Sequence, residues 1–219
     1  MEVIIERQHK TKTYKKDGLK LISVGDISGQ ELENISKHVR LNLERLTEIG
    51  IKVNLSSFLL FVISENKLHI ITDIVRSIPA FIFKYDDEIL VTDDLRNITN
   101  KKLNNDKVTT FLSSISSLGI ENCYGNVYTC QAGEIVTIEH GDITSDRYFK
   151  FIPNLEAPQK EVHKFVEEFN DIMEQTIERM FKSAPNINNW IVPLSGGHDS
   201  RIIINSLKKA GIENVICYS

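Results

Sequence analysis

Residues 190–211, WIVPLSGGHDSRIIINSLKKAG, pass from an apolar run through two glycines into a segment with helical spacing. Trp190 to Leu194 is short and apolar and ends in punctuation, as a buried parallel strand does. Arg201 to Ala210 places Ile203, Leu207 and Ala210 on one helical face, with Lys208 and Lys209 near its end and Gly211 as a stop. The intervening loop is therefore expected at the C-terminal end of a strand and the N-terminus of a helix. An α/β sheet takes its ligands there, because unpaired helix N–H groups and the helix dipole favour an anion. Gly196 and Gly197 let the backbone approach closely, and Ser195 and Ser200 add hydroxyl donors, so the loop suits a phosphate or pyrophosphate. Asp199 is the odd member: a carboxylate beside phosphates repels them unless a cation lies between. It points to Mg²⁺ held by one carboxylate, phosphate oxygens and water; the alternative is a helix cap. No Lys follows the second glycine, so the GxxxxGK[ST] loop used for cleavage at the γ-phosphate is absent.

Working outward, EVHKFVEEFNDIMEQTIERMFKS (161–183) carries Val162, Phe165, Phe169, Ile172 and Ile177 on a helical stripe. Pro153 and Pro158 lie between it and the strand-rich region before it, which sets a boundary between domains 1–152 and 153–219. From there the chain alternates helix and strand, the pattern of a parallel α/β sheet. Before it, EVIIE and LKLISV read as strands, and a helix follows through Leu32, Ile35, Val39, Leu43 and Leu46 to Gly50. Two hairpins follow, with turns at Ser64–Lys67 and Tyr85–Glu88, then a short helix over Lys107–Gly119. Two more strand runs have turns at Gln131–Gly133 and His140–Asp142. The expectation is an α+β first domain of layered antiparallel sheets and a partial α/β second domain with a parallel sheet.

With 219 residues, 41% of them hydrophobic and 26% charged, the chain has enough apolar surface for a core and is not wholesale disordered. Its net charge of −4 gives no global positive field toward nucleic acid or anionic lipid. The basic stretch Arg7–Lys16, with Tyr14 inside it, reads as a solvated edge strand rather than a nucleic-acid arm. No apolar run of membrane-spanning length and no secretory-signal order is present, so a cytoplasmic location with no membrane partner is expected. Cys123, Cys130 and Cys217 lack CxxC spacing, which suggests reduced thiols, and the six histidines are too scattered to propose a zinc site.

Ser-Gly-Gly-x-Asp-Ser after a strand resembles the pyrophosphate loop of the ATP pyrophosphatases, which split ATP into AMP and pyrophosphate while activating a carboxylate or carbonyl. That resemblance implies that Ser195, Gly196, Gly197, Asp199 and Ser200 hold the pyrophosphate of ATP, with Mg²⁺ at Asp199, while His198 fills the variable position. A long domain ahead of the loop is similar to the asparagine synthetase family, whose first domain is an N-terminal-nucleophile glutaminase. Asp73, Arg76 and Pro79, followed by two strands, resemble one segment of that domain. Gly133 and the pair Arg147-Tyr148 resemble another, and Arg201 after the loop is similar to relatives that modify sugars or other acids. The glutaminase requires an N-terminal cysteine whose own α-amine is the base, whereas this sequence begins Met1-Glu2-Val3 and has its first cysteine at Cys123. The family's Arg-Gly-Pro-Asp and Asn-Gly-Glu runs are also missing, so a degenerate glutaminase-like domain without a catalytic nucleophile is expected.

The resemblance implies an ATP-dependent amide ligase that uses ATP, Mg²⁺, a carboxylate substrate, and free ammonia or another amine. GIENVICYS supplies only the next strand after the loop helix, so the expectation is a ligase incomplete in this chain, finished by further sequence or by homo-oligomerisation. A non-catalytic binding or assembly module with a vestigial loop is the alternative. A tRNA-acting pyrophosphatase is a third reading, disfavoured by the negative charge.

Overall fold

Residues 58–72 set the centre of the first unit in this computed structural model, which describes residues 1–6, 11–41, 57–86, 88–115, 120, 122–153, 161–183 and 187–219. The strands are β1 (Glu2–Ile4), β2 (Thr11–Lys16), β3 (Leu19–Gly25), β4 (Phe58–Ser64), β5 (Lys67–Thr72), β6 (Phe81–Tyr85), β7 (Glu88–Thr92), β8 (Val127–Thr129), β9 (Glu134–Glu139), β10 (Asp142–Arg147), β11 (Trp190–Pro193) and β12 (Val215–Tyr218). The helices are α1 (Gly29–Leu41), α2 (Asn105–Ser114), α3 (Val162–Ser183) and α4 (His198–Lys209). They form two compact units, Met1–Ile152 and Pro153–Ser219.

The first unit is α+β with two sheets, ordered β10-β9-β5-β4-β3-β2 and β1-β7-β6-β8. β4 reads FLLFVIS rather than alternating because both of its faces are covered. Leu59 and Phe61 join Leu68, Ile70 and Val136 against Ala80, Ile82 and Val91 of the segment that forms the smaller sheet. Phe58, Leu60 and Val62 face the other way, with Ile27, Leu32 and Ile35 at and before α1. α1 starts at a capping box: the Ser28 N–H donates to the Glu31 carboxylate at 2.6 Å and the Glu31 N–H to the Ser28 hydroxyl at 3.2 Å. The expected continuation through Leu43 and Leu46 to Gly50 lies outside the described residues.

Three expectations need correction. β1 pairs with β7 in parallel, so the smaller sheet is mixed rather than antiparallel; strands 84 residues apart in sequence are not joined by a hairpin and take either direction. α2 begins two residues earlier than its apolar pattern, because Asn104 caps it through the N–H groups of Asp106 and Lys107. It stops at Ser114, where Ile115 turns left-handed at φ 56°. The basic stretch does form an edge strand, β2, over its described part, and Lys12 Nζ donates to the Ile27 carbonyl at 2.7 Å.

β5 also carries a buried polar side chain, His69. Its Nδ1 lies 2.8 Å from Thr137 Oγ1, opposite it on β9, while Nε2 has no hydrogen-bond partner. Burial, and then the Lys67 ammonium, lower its pKa from 6.5 to about 4, so the ring is neutral near pH 7.

In the second unit β11 and β12 pair in parallel, Trp190 with Val215 through Pro193 with Tyr218. Ile177 of α3, Val192 of β11 and Leu207 of α4 make a small core with Ile204, Ile212 and Val215. The expected stripe of α3 is mostly uncovered: Ile177 is 4% exposed, but Phe165 is 52% and Ile172 60%. Length explains it. Twenty-two helical residues run about 33 Å, whereas four-residue strands span about 13 Å, so two strands cover one stretch of the helix. Among the described residues, no helix is long and apolar enough to cross a membrane.

Candidate functional site

The glycine loop lies where the sequence places it, between β11 and α4, and at the C-terminal end of a parallel strand pair. Leu194 N–H still bonds the Tyr218 carbonyl at 2.7 Å, so the chain leaves the sheet only at Ser195. Gly196 turns left-handed at φ 74°, and a Cβ built there would meet nothing within 4 Å, so the space beside the turn is open. Gly197 is the N-cap of α4, with no side-chain cap bond. α4 thus starts three residues before the Arg201 expected from apolar spacing, which puts His198, Asp199 and Ser200 on its first turn.

This start decides the roles available to Asp199. The cap position belongs to Gly197, and Asp199 stands exposed in the first turn with no hydrogen bond or ion pair to its carboxylate among the described residues. Ser200 is 6% exposed and points back into the loop, with Oγ 3.4 Å from the Gly197 carbonyl and 3.5 Å from Ser195 Oγ. Contacts that long leave both hydroxyls able to serve a better acceptor. Arg201 folds over the same carbonyl, with Nε 3.1 Å from Gly197 O, and its other end lies 3.5 Å from His198 Nδ1. Uncapped helix N–H groups, two hydroxyls and an Arg gather positive potential at one open turn. No group of three or more His, Cys, Asp or Glu placed to hold a metal ion exists among the described residues. A divalent ion here would take one carboxylate, Asp199, and draw its other ligands from phosphate oxygens and water, a donor set that suits Mg²⁺.

The residues quoted from the first unit are brought together, but for a different task. The Asp73 carboxylate is buried and accepts the N–H groups of Phe58 at 3.1 Å, Val75 at 2.9 Å and Ser77 at 3.2 and 3.1 Å. Its carbonyl accepts from Arg76 at 3.1 Å and Gly133 at 2.8 Å. The Tyr148 hydroxyl donates to the Thr72 carbonyl at 2.6 Å, Arg147 to that of Ala132 at 3.0 Å and Arg76 to that of Cys130 at 3.4 Å. At Gly133 (φ 60°) a Cβ would lie 2.8 Å from Phe149, so only glycine fits. Pro79 follows on the same loop, half-buried, without a polar contact of this kind. These polar atoms are spent on backbone, which makes the cluster a knot joining β4, β5 and the 131–133 turn rather than a reaction centre. Sequence spacing located its members and missed its use, because two of the partners of Asp73 come from distant chain: Phe58, fifteen residues upstream, and Gly133 of the 131–133 turn.

Cys130 is not an activated thiol. Burial first, and then Glu134, push the Cys130 thiol well above its ordinary range. Cys123 is half-buried and Cys217 exposed on β12.

No family model and no curated protein matches this chain. Among solved structures it is similar to glutamine phosphoribosylpyrophosphate amidotransferase from B. subtilis, complexed with ADP and GMP. The identity is 12%, over 94% of this chain and 47% of that one, with a TM-score of 0.35. It is also similar to a structure described as the allosteric regulatory enzyme of purine biosynthesis, at 10% identity over 94% of this chain and 46% of that one, with a TM-score of 0.34. The chain spans less than half the length of either.

Proposed function

We propose that the second unit grips the pyrophosphate portion of ATP, and that the chain serves an ATP-dependent amide ligase of asparagine-synthetase type without glutaminase activity of its own. The observation that carries this reading is the open Gly196 turn feeding an uncapped helix N-terminus, with Ser195, Asp199 and Ser200 around it. In such a reaction a substrate carboxylate attacks the α-phosphorus of ATP, pyrophosphate leaves, and an amine then displaces AMP to form the amide. The loop's share is electrostatic: N–H groups and hydroxyls aimed at the leaving pyrophosphate stabilise the charge that develops on it. Mg²⁺, when bound, neutralises phosphate charge. Asp199 holds it, and Ser195 and Ser200 orient the oxygens. In this reading the nitrogen comes from free ammonia or another amine.

The test is calorimetric titration of the chain with MgATP and with magnesium pyrophosphate. Saturable binding of both is expected, weakened about tenfold or more in Asp199→Asn. Absence of binding by either ligand overturns the reading. The uncovered stripe of α3 and the exposed pair Ile191 and Ile216 favour a second reading, an assembly module whose loop is vestigial.

A further inference from the structure

The first unit holds a cavity of about 330 Å³ beside β8, where the N-cap of α2 and Ile143 of β10 also contribute to the wall. Ile82 and Ile143 give it apolar surface, Lys84 and Lys107 also line it, and no carboxylate does so among the described residues.

Three side-chain amides also line it, and hydrogen bonds orient each of them. Asn104 Oδ1 accepts from Asp106 and Lys107 N–H at 3.1 and 3.2 Å. Asn122 Oδ1 accepts from Tyr124 N–H at 2.7 Å, and Asn126 Oδ1 from Lys102 N–H at 3.0 Å. Every amide oxygen is thereby engaged by backbone, and two of the amide nitrogens are committed as well: Asn122 Nδ2 donates to the Val127 carbonyl at 2.9 Å and to Thr129 Oγ1 at 2.8 Å, and Asn126 Nδ2 to the Asn100 carbonyl at 3.1 Å, which leaves the Asn104 NH₂ as the amide donor open to a ligand among the described residues. The Asn104 NH₂ lies beside Gly125, where a Cβ would come within 3.5 Å of it. Lys84 Nζ is braced by the Gly141 carbonyl at 3.0 Å, which leaves two of its N–H donors for other use. The Tyr128 hydroxyl is committed as donor to Glu134, which lies outside the lining.

Donors and positive charge beside apolar surface call for an anion with a hydrocarbon body. A phosphate would want free N–H groups at the start of α2, but Asn104 already occupies those of Asp106 and Lys107. We propose that this cavity binds a small organic carboxylate, its oxygens on Asn104 Nδ2 and Lys84 Nζ and its short apolar body on Ile82 and Ile143.

Titration of the full chain with butyrate, butyramide and inorganic phosphate, followed by calorimetry or NMR shifts, tests it. Saturable butyrate binding is expected, with butyramide and phosphate at least about tenfold weaker. Asn104→Asp keeps the helix cap but replaces the donor with a carboxylate, so it should weaken butyrate by about tenfold or more while leaving the melting temperature near that of the parent. If that variant fails to fold, Lys84→Met, on an exposed side chain, makes the same test. Equal binding of butyrate and butyramide, no saturable binding, or butyrate affinity unchanged in the folded variant overturns the proposal. Phosphate bound as tightly as butyrate does so too.

Discussion

The two units spend their apolar residues differently. In the first, β4 and β5 are buried on both faces, and even the polar Asp73, Thr72 and Glu134 are sunk and hydrogen-bonded. In the second, the core proper is Ile177, Val192 and Leu207 with a few half-buried neighbours, while α3 leaves most of its stripe in solvent. Parallel sheets are stable when both faces are covered, and here Ile191 and Ile216 pair on an uncovered one. Burial is what turns a local pattern into a stable structure, so the first unit should carry the cooperativity of the fold and the second should respond little to changes on its bare face.

Asp73→Ala is the hardest blow to that contrast. It strips a buried acceptor from the N–H groups of Phe58, Val75 and Ser77, and should cost about 3–5 kcal/mol. The midpoint of denaturant unfolding, followed by a probe in the first unit, measures it; a loss below about 1 kcal/mol would mean that the knot does not organise the unit.

A smaller effect follows from His69. Its folded-state pKa, about 4, lies below the 6.5 of the unfolded chain. Full stability is therefore present above pH 6.5 and falls as pH drops toward 4, where the unfolded state takes up a proton that the folded state refuses. Allowing for solvent screening, about 1–2 kcal/mol should disappear across that window, and His69→Gln should flatten this part of the pH profile.

The smallest effect belongs to the second unit. Phe165→Ser and Phe169→Ser remove apolar surface that is half in solvent, so each should change stability by less than about 0.5 kcal/mol and raise solubility. A loss of 2 kcal/mol or more in thermal or denaturant unfolding would show that the face is covered in solution.

Local features of the fold were legible in sequence. The Ser64–Lys67 and His140–Asp142 turns each sit between strand-like runs, and the structure closes both as hairpins. What depends on distant chain was not. β1 beside β7 in parallel, and β5 between β4 and β9, are choices among partners that no local pattern distinguishes. At the candidate site, the strand, the glycines and the helix were readable, but the N-cap at Gly197 was not, because Ser195, Asp199 and Ser200 all offer cap chemistry and the backbone chose a residue with no side chain. The donor-lined cavity was invisible as well, since an asparagine's exposed end is set by N–H groups that the fold brings to it.

The lysines of β2 have a consequence for misfolding. β2 ends the larger sheet with Lys12, Lys15 and Lys16 in a six-residue strand, and a charged rim of that kind resists the stacking of identical chains that seeds amyloid. β12, with Val215, Ile216, Cys217 and Tyr218, has no such guard. Stacking of identical chains from a damaged molecule is therefore expected at β12 before β2.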